Sequence, residues 1–135
     1  MELADTSAWT NRHKDAAVRA DFDARVLANE IATCSMVVME LLWTAQSQSD
    51  FGEMREDLEA LPRLPITPAA WERAIDVWHE LVRLGRHRQT KPPDLLIAAV
   101  AELADVGLCH YDSDFDTISA VTGQPVRELA PIGSL

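Results

Sequence analysis

No stretch of this 135-residue chain approaches the run of about 20 uncharged apolar residues that a membrane-spanning helix needs, so a soluble protein is expected. The N-terminus, Met-Glu-Leu-Ala-Asp, lacks the basic region and long apolar run of a secretory signal. Two cysteines, Cys34 and Cys109, are too few for a framework of disulfides. Each sits in an apolar run, which predicts small reduced core residues in a cytoplasmic protein rather than thiol nucleophiles. A broad basic surface is also missing: 12 Lys and Arg against 22 Asp and Glu leave a formal charge of −10. That balance excludes a protein that coats nucleic acid over a wide face, because phosphate contacts require positive charge. The sequence has no glycine-rich phosphate loop, serine elbow or dinucleotide fingerprint, and no internal repeat, low-complexity tract or linker. Its histidines, His13, His79, His87 and His110, form no metal-binding pair.

What the sequence does have is an ordinary apolar fraction of 47% and the length of one domain, expected to span residues 1–135. Basic residues gather at Arg12-His13-Lys14 and between Arg83 and Lys91, where Arg86, His87 and Arg88 also lie. Such a local patch can hold a phosphate chain, or it is simply a solvated helix end and loop. Leu3-Ala4 reads as the end of a short buried strand, Ile31 to Cys34 as a second, Leu108 to Tyr111 as a third and Val126 to Leu129 as a fourth. Helices are predicted over Ala16 to Leu27, from a cap near Ser35, over Glu53 to Leu61, from Thr67 to about Leu84, over Asp94 to Ala104 and over Phe115 to Val121. Met36, Met39, Leu42 and Trp43 are expected to form the core side of their helix. Trp71, Ile75, Trp78, Leu81 and Val82 are expected to do the same in theirs. Strands separated by helices imply right-handed crossovers and a mainly parallel α/β sheet with helices on both faces.

Asp5 and Asp112 each follow an apolar strand, which puts both at the carboxyl rim of a parallel sheet, where ligands bind. Asp94 opens a helix, and Glu40 shares a helix face with Met36 and Trp43-Thr44. A carboxylate on an apolar face needs a cation or a polar network to satisfy it. Oxygen donors without a His-Cys cluster select hard ions such as Mg2+ or Mn2+. Taken singly, Asp94 reads as a helix cap, Asp5 as a turn former and Asp112 as a loop acid.

Four segments change that reading when taken together. Leu3-Ala4-Asp5-Thr6-Ser7-Ala8-Trp9, Met39-Glu40-Leu41-Leu42, Pro93-Asp94-Leu95-Leu96-Ile97-Ala98-Ala99 and His110-Tyr111-Asp112-Ser113-Asp114-Phe115-Asp116 resemble, in chain order, the four motifs of PIN domains. The resemblance covers almost the whole chain and is nearest to the VapC-type toxins of bacterial toxin-antitoxin pairs. It implies a three-layer α/β domain and a Mg2+- or Mn2+-dependent endoribonuclease with Asp5, Glu40, Asp94 and Asp112 as its acidic quartet. Asp5, Asp94, Asp112 and Asp114 would be the metal ligands, and Thr6 and Ser7 the hydroxyl residues that hold the first aspartate. It also implies a small antitoxin partner that covers the acidic cleft, and a homodimer. Arg86, Arg88 and Lys91 lie close enough to Asp94 to hold an RNA backbone. The last motif carries three acids, Asp112, Asp114 and Asp116; Asp112 is preferred because it comes straight off the strand.

Other functions remain to be weighed against a ribonuclease. One is a non-catalytic module whose acids grip a basic protein; another is a DNA-cleaving nuclease of the same fold. A calcium loop starting at Asp112 fails, since it would need glycine at Thr117 and glutamate at Gly123. A haloacid-dehalogenase phosphatase fails too, because Asp116 stands where threonine or valine is required.

Overall fold

The computed structural model describes residues 1–135. Its frame is a sheet of four short strands, β1 (Glu2–Ala4), β2 (Ile31–Ala32), β3 (Gly107–His110) and β4 (Val126–Glu128), in the order β2-β1-β3-β4. All three pairings are parallel, with Leu3 beside both Ala32 and Leu108, and Cys109 beside Arg127. Parallel neighbours require a crossover between them, and helices supply every one. These are α1 (Thr6–Asn11), α2 (Ala16–Leu27), α3 (Ser35–Leu42), α4 (Gln48–Glu59), α5 (Pro68–Arg83), α6 (Pro92–Leu103) and α7 (Asp114–Thr122). The sheet is thus flanked by helices, as the alternation of strand and helix predicts. No helix is long and apolar enough to cross a membrane.

The strand order places the site. From β1 the chain crosses to β2 on one side and later returns to β3 on the other, so the connections leaving β1 and β3 diverge. A crevice opens at the carboxyl ends of such a strand pair. Asp5 follows β1 directly, and its N–H donates to the Cys109 carbonyl of β3 at 2.9 Å, which holds the two exits together.

Local chemistry explains most element ends. Asp15 caps α2 by accepting from the Val18 N–H, and left-handed Asn29 follows its end. Thr67 caps α5 through the Ala70 N–H, with Pro68 in its first turn. α4 begins at Gln48 rather than near Glu53, because Ser47 supplies a cap to the Asp50 N–H and Gly52 lies within the helix. The second strand is only Ile31–Ala32. Thr33 instead bridges to Arg63, and Cys34 occupies the cap position of α3.

One expected core face is split and another is turned the other way. In α3 the buried residues are Val37, Val38 and Leu41; of the expected set Met36 and Leu42 are partly buried against the core, while Met39 is 66% and Trp43 89% exposed. In α5 the buried stripe is Ala70, Ala74, Val77 and Leu81; of the expected set only Leu81 is inside, and Trp71, Ile75, Trp78 and Val82 face outward. The reason is close packing of α5 on α6, whose residues Leu95 through Ala101 are all buried. Small side chains let two helix backbones approach, and the bulky stripe one residue away cannot do this. Cys34 and Cys109 are free and fully buried; burial raises both thiols, that of Cys109 to about 11, so neither offers a thiolate.

Candidate metal centre and its cleft

Asp5 is the N-cap of α1, with one carboxylate oxygen, Oδ2, accepting from the Ser7 N–H at 2.9 Å. Its other oxygen, Oδ1, is buried and has no partner. Burial raises the Asp5 pKa, opposed by the bonds from the start of α1. Of the next two residues, Thr6 departs from the expected pairing: it donates its hydroxyl to Glu40 Oε1 at 2.9 Å and acts on Asp5 only through its backbone. Ser7 holds Asp5 as expected, through its hydroxyl and its backbone N–H, and its hydroxyl also accepts from the Tyr111 N–H at 2.9 Å, tying α1 to the exit of β3.

Asp94 lies in the first turn of α6, but it does not cap that helix. Lys91 occupies the cap position and makes no side-chain capping bond. The Asp94 pKa is raised to about 7, first by burial and then by the charges of Asp5, Asp112, Glu40 and Asp114. Glu40 is raised mainly by burial, with the Thr6 bond and the Lys91 charge acting against it. On the loop after β3, Asp112 Oδ1 accepts from the Asp114 N–H at 2.9 Å. Asp114 is raised by burial and by Asp112.

Asp94, Asp112 and Asp114 offer carboxylate oxygens within 4.8 Å of one another, a triad capable of coordinating a divalent cation. Asp116 is outside it, half exposed on α7 with Oδ1 3.6 Å from His110 Nε2. Asp5, Thr6, Glu40, Lys91, Asp94 and Asp112 line an open cleft of about 210 Å³ whose lining is polar apart from Pro93. A second hollow shares Thr6 and Glu40 with the first and is walled by Met36, Met39 and Trp43, the outward face of α3.

The basic residues separate on inspection. Lys91 reaches the cleft, and Arg88 is exposed in the turn just before it. Arg86 is committed elsewhere, donating to Gln89 Oε1 at 3.1 Å and Thr117 Oγ1 at 3.3 Å. Arg12 is packed against the Trp9 and Phe22 rings and faces Asp23, which leaves only His13 and Lys14 of the first basic cluster exposed. One residue of the site escapes sequence reading altogether. His110, fully buried at the end of β3, accepts the Asp112 N–H on Nδ1 at 3.1 Å. Burial lowers its pKa, against the pull of Asp116 and other acids. A lone histidine in an apolar run carries no signal of such a bond.

A family model described as the PIN domain matches residues 3–121. The chain belongs to the PIN family, in its VapC-type branch. Ribonuclease VapC18 of Mycobacterium tuberculosis is 36% identical over 133 residues, covering 97% of this chain and 96% of the relative. Ribonuclease VapC51 of the same organism is 32% identical over 133 residues, covering 98% and 96%. Among solved structures, DNA-bound VapBC from Salmonella typhimurium superposes with a TM-score of 0.75 at 19% identity, covering 96% of this chain and all of that one. At that identity the likeness is one of fold. This PIN domain therefore carries its carboxylates where the fold opens its crevice: directly after β1, on α3 and α6, on the loop after β3 and at the start of α7.

Proposed function

We propose that this PIN domain, acting as one unit over its 135 residues, is an endoribonuclease that hydrolyses RNA phosphodiester bonds with Mg2+ or Mn2+. One observation carries the reading: Asp94, Asp112 and Asp114 converge at the crevice of a parallel sheet, with Asp94 pushed up to about 7 by burial and by the neighbouring acids. The fit to a hard divalent ion rests on the donor set, which is carboxylate oxygen throughout, and on the unpartnered, buried Asp5 Oδ1 at the same cleft. Asp94, Asp112 and Asp114 would hold the ion, with Asp5 beside them, and Glu40 completes the acidic quartet. When bound, such an ion supplies an activated water and charge stabilisation at the phosphoryl oxygens.

The chain's own residues do the rest. Thr6 and the Ser7 N–H fix the two acids that do not belong to the triad, Glu40 and Asp5. Lys91 meets the phosphate backbone at the mouth of the cleft, and Arg88 extends that contact along the rim. Arg86 supports the turn that carries both. The likeness to ribonuclease VapC18, and to toxin chains solved in VapBC assemblies, supports a cytoplasmic toxin. Its partner would be a small antitoxin, placing an arginine or lysine among the carboxylates.

The test is cleavage of defined transfer and ribosomal RNAs by purified protein freed of any partner. Mg2+ or Mn2+ should support cleavage, excess chelator should abolish it, and Zn2+ should restore it poorly. Asp94→Asn should remove it. Cleavage that persists in chelator overturns the metal mechanism. Protein that binds a basic partner but cuts no RNA favours the non-catalytic reading, and cleavage confined to a parallel DNA substrate favours a deoxyribonuclease.

A further inference from the structure

Two of the three triad carboxylates lie two positions apart, Asp112 on the loop after β3 and Asp114 at the start of α7, so the accuracy of the cluster depends on what holds that junction. Its backbone N–H groups are taken up in sequence. Tyr111 donates to Ser7 Oγ, Asp112 to His110 Nδ1, Asp114 to Asp112 Oδ1, and Phe115 to the Asp112 carbonyl. The His110 bond is the one made by a side chain fully enclosed in the core, where the ring packs against Phe115 with centroids 5.3 Å apart. An imidazole clamped by the strand on one side and an aromatic ring on the other has little freedom to turn.

We infer that His110 is a positioning residue for the metal centre: its unprotonated Nδ1 fixes the Asp112 peptide, and through it the carboxylates of Asp112 and Asp114. This rests on the metal-dependent reading above and adds a residue to it. The geometry assigns the tautomer. A backbone N–H can donate to Nδ1 only if that nitrogen has no proton, so the neutral ring carries its hydrogen on Nε2. Nε2 has no partner within bonding distance, and Asp116 Oδ1 lies 3.6 Å away. The working atom is therefore Nδ1, and Asp116 is dispensable.

That distinction makes the role testable by shape. Asparagine presents an acceptor where Nδ1 stands; glutamine reaches the position of Nε2; leucine fills the space with neither. Mn2+ binding to the metal-free full-length protein is measured by calorimetry for the parent, His110→Asn, His110→Gln, His110→Leu and Asp116→Asn, each with a melting curve. His110→Asn and Asp116→Asn should bind like the parent, while His110→Gln and His110→Leu should lose about tenfold or more in affinity, the usual cost of an outer-shell partner. In the parent, NMR on 15N-labelled protein should detect coupling across the hydrogen bond between the Asp112 amide nitrogen and His110 Nδ1. That readout needs no variant to fold. A parent that binds Mn2+ while the Asn and Gln variants bind alike overturns the inference and leaves the metal centre standing. A His110 ring found protonated on Nδ1 overturns it equally. A parent that binds no Mn2+ overturns the metal reading itself, and the positioning role with it.

Discussion

Crowding at Asp94 has a signature in the metal-free protein. Its carboxyl ionises near pH 4 in an unfolded chain and near 7 in the folded one. Between those values the folded state holds a proton that the unfolded state has released, so stability falls as pH rises, and the fall levels off about a unit above the folded pKa. Asp5, Glu40 and Asp114 are shifted in the same direction. His110 is shifted downward, which opposes this trend only below its ordinary value of about 6.5. Melting temperatures of metal-free protein between about pH 6.5 and 8 therefore isolate the acids, and they should fall across that range. Asp94→Asn should fall less, and at about pH 8 it should melt no lower than the parent, since Lys91 and not Asp94 stands at the cap of α6. A parent whose melting point climbs over the same range would show that the acids are not crowded. A milder change tests Glu40. Thr6→Val removes a bond to a carboxylate, ordinarily about 1.5–3 kcal/mol, and should slow RNA cleavage by roughly tenfold or more while the fold survives.

At the scale of elements, α5 presents two apolar stripes one residue apart, Ala70-Ala74-Val77-Leu81 and Trp71-Ile75-Trp78-Val82. Periodicity recognises a helix from either. Hydrophobicity then favours the tryptophans, whereas close approach to α6 demands the alanines. The choice is made by the neighbour, which is why the helix was legible in the sequence and its buried face was not. The same holds for α3, apolar on nearly every side because one face meets the core and another walls the hollow beside Glu40. Where a cap or a left-handed residue acts locally, as Asp15 and Asn29 do for α2, the sequence predicts the element's bounds residue for residue. The carboxylates were legible as motifs, but the partner of Thr6 and the bond at His110 depend on segments far apart in the chain. Two substitutions test this account of α5. Ala74→Leu should overpack the junction with α6 and cost about 1–3 kcal/mol in denaturant unfolding. Trp71→Ser should change the stability of the isolated chain by no more than about 0.5 kcal/mol. Equal losses from the two would mean that the tryptophan face is covered.

At the scale of the whole molecule, Met39, Trp43 and Phe51 gather around one exposed apolar hollow, and Trp71 and Ile75 face outward on α5. An exposed apolar patch of this kind marks an interaction surface. We expect size-exclusion chromatography with light scattering to give a homodimer, and a small basic-tailed protein to co-purify when the neighbouring reading frame is expressed with this one. A monomer at micromolar concentration and purification without any companion would count against both expectations. A partner of the proposed kind should also weaken Mn2+ binding, because a cationic side chain among the carboxylates and a divalent ion would compete for the same charge.

The wiring of the sheet bears on the life of the protein during its synthesis. β1 is made long before β3, yet Glu2 and Leu3 pair with Gly107 and Leu108, and β2 binds only the opposite edge of β1. Contacts of such long range form slowly and late, whereas a ribosome adds about 5–20 residues each second. Until Asp112 and Asp114 have emerged, Asp5 and Glu40 have no crevice to share. An unfinished chain thus carries its early acids without the assembled cluster, and any chemistry that cluster performs waits until Asp114 has left the ribosome.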